Sequence, residues 1–181
     1  MSKASRVGTP KARAQASDSG PAVTINGWTI YAHSLFLGQL TALQREVENL
    51  KQKDPTGYTK KNASKRLAAI AKLAFEVIPQ NPARAEYCQG GTLGEEHTHW
   101  LRAKFFQQYR LFFRFHAPSK LIVFAWVNDD STLHAYESGS DAYRVFRKML
   151  QSGHPPDDWL ALVAEAKRDS LGGSFERDLL R

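Results

Sequence analysis

In the stretch HWLRAKFFQQYRLFFRF, residues 99–115, cations recur at even positions (Arg102, Lys104, Arg110, Arg114), while Leu101, Ala103, Phe105, Leu111, Phe113 and Phe115 at odd positions are apolar. Successive side chains on a strand point to opposite faces, so the pattern predicts a β-hairpin with one apolar and one cationic face. No Asp or Glu falls between Glu96 and Asp129. Like charges on neighbouring strands repel, so such a field gains nothing for folding and points to an anionic ligand. Phosphate is the obvious one. Arg114 would contact flanking backbone, Phe112 and Trp126 would be available to stack on bases, and Lys65 would add a further RNA contact. The competing reading pairs the arginines inside the monomer with Glu46, Glu48 or Asp141.

Holding RNA is not cutting it. Cleavage without a metal needs a base for the 2′-hydroxyl proton, an acid for the leaving 5′-oxygen and cations to steady the phosphorane. Proton transfer typically supplies about 10²–10⁴-fold and one well-aimed electrostatic donor about 10²–10³-fold. The candidate proton carriers are His99, His116, His134, Tyr109 and Tyr136. Tyr109, at an odd position, is expected to face the core. His134 and Tyr136 stand two apart after the third strand, where they could flank a phosphate on the cationic face. Other constellations are weaker. His97 and His99 with His116 could make a metal site, but no further ligands stand at persuasive spacing. Asn128-Asp129-Asp130 reads more readily as a turn than as a magnesium site. GGTLG (90–94) lacks the lysine and spacing of a nucleotide loop, and neither a nucleophile elbow nor a Cys–His pair is visible. The reading includes no metal and no cofactor.

These residues need a scaffold. With 181 residues, 42% hydrophobic and 11% aromatic, the chain has room for one domain with a core, plus tails. A basic, disordered tail is expected over 1–24, the domain over 25–168 and a C-terminal tail over 169–181. Phe36, Leu40, Leu43, Val47 and Leu50 form a helical stripe with Ser34 as the expected cap, and a second helix is predicted over 62–78. Then come a short strand near 84–89, the hairpin 99–106 and 109–115, and a strand over 120–128, paired in sequence. Helices return at DAYRVFRKML, capped by Ser140 or Asp141, and from PPDDW onward. The sum is an α+β domain: a helical hairpin on a small antiparallel sheet, with helices last.

Net charge +7 and a pI near 9.6 favour a polyanionic or acidic partner. One cysteine excludes an intramolecular disulfide. No apolar run is long enough to span a membrane, and the first residues lack a secretory core segment, so the cytoplasm is the expected address.

The segments INGWTIYAH, KDP, YCQGGTLG, HWLRAKFFQQYRLFFRF, AWVNDDSTLHAY and DAYRVFRKMLQSGHPPDDW together resemble the YhaV family of bacterial type II toxins, related to the RelE superfamily, over roughly residues 25–165. The resemblance implies a RelE-like fold and a metal-independent endoribonuclease acting on mRNA at the translating ribosome. It implies a PrlF antitoxin with an AbrB-like DNA-binding domain, the pair repressing their own operon. It matches Arg102 and Lys104 to the basic pair of one active-site strand and Arg110 to the arginine of the next. The family's T-x-R-A-Y pattern reads Thr132-Leu133-His134-Ala135-Tyr136 here, so a histidine able to carry a proton replaces an arginine fixed in charge. Two other classes compete: a binding module that blocks translation or a topoisomerase without cutting RNA, and a DNA-binding regulator. The second is disfavoured because no helix combines basic residues with base-reading amides.

Overall fold

Asn26 and Gly27 both hold positive φ (50° and 79°), the backbone that a tight two-residue hairpin turn requires. They join β1 (Val23–Ile25) to β2 (Trp28–Ala32), and the chain enters its fold as a β-hairpin. A computed structural model of the chain describes residues 23–134 and 141–171. Val23 and Thr24, which the sequence assigns to the tail, pair with Ile30 and Thr29.

Helix α1 (Ser34–Lys53) follows at once. Its cap is His33 rather than Ser34: the His33 ring accepts the Leu35 N–H. Phe36, Leu40 and Leu43 of the predicted stripe are buried. Helix α2 (Asn62–Lys72) is shorter than the sequence implies, because the next turns widen to a π-turn over Leu73–Val77 and tighten to a 3₁₀ turn over Ile78–Gln80. The segment near 84–89 is a 3₁₀ turn (Ala85–Tyr87) followed by a single bridge from Cys88 to Leu101.

The basic hairpin forms as read, with β3 (Leu101–Phe105) antiparallel to β4 (Tyr109–His116), and β5 (Leu121–Val127) pairs antiparallel with β4. Two expectations fail. The sheet is mixed, in the order β1-β2-β5-β4-β3, because β2 lies parallel beside β5. The N-terminal unit is also not a helical hairpin: a β-hairpin comes first and supplies the strands on which α1 begins. Parallel neighbours require a long crossover, and everything from α1 to β4 lies between β2 and β5 in the chain.

Both sheet faces are covered. Ala103, Leu111, Phe113, Ile122 and Phe124 form one core with α1 and α2. Phe112, Val123, Ala125 and Trp126 form the other with α3 (Ala142–Gln151) and α4 (Trp159–Leu171). A bulge at Phe112/Phe113 skips Ala125, which lets Ala125 and Trp126 share that second core. The cationic face is therefore not a bare surface. It gives α3 an aromatic landing, where Phe146 stacks 4.2 Å from Phe112 and lies within 2° of parallel to Trp126. Arg102 and Arg110 are left beside the start of α3, where both bond the Tyr143 hydroxyl, with Lys104 opposite Arg110 on β3.

Candidate active site

Strand register sets the cations. Lys104 pairs with Arg110 and Arg102 with Phe112, so Arg102, Lys104 and Arg110 share one face of β3 and β4. The Tyr143 hydroxyl, in the first turn of α3, lies between two guanidinium groups. It accepts Nε–H of Arg102 at 2.9 Å and Nε–H of Arg110 at 3.1 Å. Arg102 Nη1 donates to the Glu86 carbonyl at 2.6 Å, and Arg110 Nη1 donates to the carbonyls of Gln107 (2.6 Å) and Tyr109 (2.9 Å). Neither meets a carboxylate among the described residues, so the intramolecular pairing with Glu46, Glu48 or Asp141 is not realised. Among the described residues only neutral oxygens position both groups. Their Nη2 groups make no hydrogen bond among the described residues. Arg102 and Arg110 are 9% and 4% exposed, whereas Lys104 stands in solvent.

His134 joins this cluster. Its ring meets Tyr143 edge-on at 5.3 Å, and its Nδ1 lies 2.5 Å from Asp141 Oδ2. Asp141 also caps α3 through the N–H groups of Tyr143 and Arg144. One carboxylate thus starts the helix that carries Tyr143 and orients the imidazole. Buried Asn128 ties the floor together: its Oδ1 accepts the Arg110 N–H at 2.6 Å, and its Nδ2 donates to the carbonyls of Gln108 and Thr132. The His134 N–H reaches the Gln108 carbonyl. The site can hold an anion between fixed cations, beside an imidazole with a carboxylate behind it.

The profile of one protein family, described as a toxin with endonuclease activity of a toxin-antitoxin system, matches residues 30–167. The chain is similar to "Ribonuclease toxin YhaV" of Escherichia coli strain K12, with 45% identity over 145 residues, covering 79% of this chain and 94% of that protein. "Toxin YhaV" of Escherichia coli O157:H7 and of Escherichia coli O6:H1 match to the same extent. The chain belongs to this toxin family. No solved structure matches it.

Not every residue singled out in the sequence reaches the toxin's candidate site. Phe112 and Trp126 cannot stack on bases, since they are 0% and 2% exposed beneath α3. Arg114 sits between the rings of Trp100 (5.5 Å) and Trp159 (5.3 Å) and donates to the Asp157 carbonyl at 2.7 Å, the setting of a structural clamp. Burial lowers its pKa, against the opposing effect of Asp157 and Asp158. Lys65 is exposed on α2, which packs on the opposite face of the sheet. Tyr136 lies outside the described residues. Tyr109 is buried as expected, and burial, with its hydrogen bond to Asp130, raises its pKa, so it keeps its proton. His116 pairs with Ser119 and His99 with Asp157. Asp129 caps the 3₁₀ turn Asp130–Thr132, the turn reading of its motif.

Tyr143, Asn128 and Asp141 were missed as site residues. Asp141 was legible as a helix cap, and a tyrosine two residues past such a cap was the available signal. Buried Arg66 had none. It lies over the Tyr109 ring at 4.5 Å and 3.3 Å from Asp130 Oδ2, an arrangement set wholly by tertiary contact.

Proposed function

We propose that the toxin cleaves mRNA by attack of the ribose 2′-hydroxyl on the adjoining phosphate, without a metal in the reaction. The O2′–P bond forms and the P–O5′ bond breaks, leaving a 2′,3′-cyclic phosphate and a 5′-hydroxyl. Arg102 and Arg110 hold the phosphate and take up the charge that grows on its oxygens, with Lys104 adding a third cation from the solvent side. His134 moves the proton. With Nδ1–H directed at Asp141, the neutral ring carries its lone pair on Nε2, the form suited to accept the 2′-hydroxyl proton. Tyr136 is the second candidate carrier, for the leaving 5′-oxygen. The observation that carries this reading is the Tyr143 hydroxyl gripping two arginines that no carboxylate among the described residues neutralises, beside a His–Asp pair.

A RelE-like arrangement of the basic strands, ribosome-bound mRNA as substrate and cytoplasmic action are part of the same proposal. So is neutralisation by a PrlF/AbrB-type antitoxin whose complex with the toxin binds operator DNA. Among the described residues no helix is long and apolar enough to cross a membrane. The test is an RNA oligonucleotide incubated with purified toxin in EDTA, beside a copy carrying a single 2′-deoxy sugar at the cut site. Cyclic-phosphate ends on the first and an intact second strand are expected. Equal cutting of both would overturn 2′-hydroxyl attack. Cutting of the oligonucleotide in magnesium that is lost in EDTA would overturn the metal-free route.

A further inference from the structure

We propose that His97, His99 and Asp157 form a binding site for a zinc-class divalent cation, separate from the arginine cluster and structural in role. His97 Nδ1 lies 3.1 Å and His99 Nε2 2.8 Å from Asp157 Oδ1, and the three atoms lie within 4.8 Å of one another. Ligands bound tetrahedrally at about 2.0–2.1 Å stand about 3.3 Å apart, so both distances to Asp157 are within a few tenths of an ångström of that spacing, and the two imidazole nitrogens, within 4.8 Å of each other, complete the triangle by side-chain rotation. Two imidazoles and one carboxylate are a donor set that suits zinc and leave a fourth position to water.

The tautomers support this trio over another. Binding at Nδ1 of His97 requires that its proton sit on Nε2, and that nitrogen already lies 3.7 Å from Glu96 Oε1. A carboxylate behind a ligating histidine is the usual outer partner. The Trp100 Nε1–H, 2.7 Å from Asp157 Oδ1, would hold the carboxylate in place from outside in the same way. The second trio, His33, His154 and Glu165, fails this test. His33 Nδ1 accepts the Leu35 N–H as the cap of α1, which fixes the proton on Nε2, the atom facing Glu165 at 2.8 Å. A metal on Nε2 would push that proton to Nδ1 and oppose two N–H groups.

Both halves of the site are held before any ion arrives. Gln89 binds the His97 carbonyl at 2.9 Å and the Leu93 N–H at 3.1 Å, and Arg114 binds the Asp157 carbonyl. The ion would pin the entry to β3 against the segment joining α3 to α4.

The full-length, tag-free toxin is titrated with zinc chloride by calorimetry and melted with zinc or EDTA, and cobalt chloride is used for the visible absorption of a tetrahedral site. One ion per chain, a Tm raised by zinc and a tetrahedral cobalt spectrum are expected. His99→Ala, a substitution at a part-exposed side chain, should abolish all three, and His116→Ala should abolish none. Glu96→Gln should weaken binding by about 10-fold. Absence of one-to-one binding, or equal binding by His99→Ala as adventitious capture at Cys88 or at the His33 trio would give, overturns the proposal.

Discussion

At the scale of single residues, the side chains that would meet phosphate are also those that hold the sheet end in shape. Read from sequence alone, Arg102 lies on an exposed sheet face, where Arg102→Ala would spare the fold. The structure replaces that expectation: Arg102 is nearly buried and bonds both Tyr143 and the Glu86 carbonyl. Arg102→Ala is therefore expected to abolish cleavage and to cost about 1–3 kcal/mol, the range for leaving buried partners unmet. Tyr143→Phe is the sharper probe, because it keeps the ring in its core and removes only the oxygen between the two guanidinium groups. It should destabilise by about 1–3 kcal/mol and lower kcat more than it raises KM, since the arginines remain but lose their alignment. Urea melts and steady-state cleavage measure the two effects. A Tyr143→Phe toxin with unchanged kcat would deny the hydroxyl any alignment role.

The next scale is the element, and here α3 decides the character of the site. Its Phe146 lies against both Phe112 and Trp126. Phe146→Ala should cost about 3–5 kcal/mol and, through the displaced Tyr143, depress cleavage beyond the loss of folded protein. The sequence carried a sign of this docking. Phe112 has the same strand parity as Arg102 and Arg110, and a large ring on a cationic face is as good a landing for a helix as for a base. Alternation fixes which side a residue takes, not what covers that side. The same limit hid the β2–β5 pairing: Trp28, Ile30 and Ala32 are buried and alternate as a strand should, but a parallel partner some ninety residues on leaves no local mark. The α1 stripe and the β3–β4 hairpin were legible because their partners are local or their period is long. A pH effect belongs to this scale as well. Burial raises the pKa of Asp129, but hydrogen bonds from the side chains of Ser131, Gln39 and Thr132 and from the Ser131 backbone outweigh it, and the net value lies below the usual carboxylate range. A depressed native value means stability that is present above the unfolded pKa of about 3.9 and lost as pH falls through the native value. Asp129→Asn should therefore be less stable than the native toxin at pH 7, and the gap should close on acidification. Urea melts across that range read it directly, and a gap that stays constant would show that ionised Asp129 contributes nothing.

For the molecule as a whole, the question is which of its cations meet RNA. The net charge of +7 draws any polyanion, and composition cannot separate the cations that touch phosphate from those that only hold the fold. Salt dependence can. Each phosphate neutralised on a single strand contributes about −0.7 to the slope of log affinity against log salt. Lys104 is exposed beside Arg110 and is free of the clamps that hold its neighbours. Lys104→Ala should make the slope shallower by about 0.7 and leave the melting temperature nearly unchanged. Arg114 carries the same charge on the same hairpin, yet two tryptophan rings and the Asp157 carbonyl occupy it. Arg114→Ala should lower the melting temperature and leave the slope as it was. Lys65→Ala, on the far face, should change neither. Measuring all three by fluorescence anisotropy on the oligonucleotide that carries the single 2′-deoxy sugar at the cut site keeps the RNA intact through the titration. If Arg114→Ala reduced the slope as much as Lys104→Ala, the RNA path would run over the Trp100–Trp159 clamp and not end at the arginines beside α3.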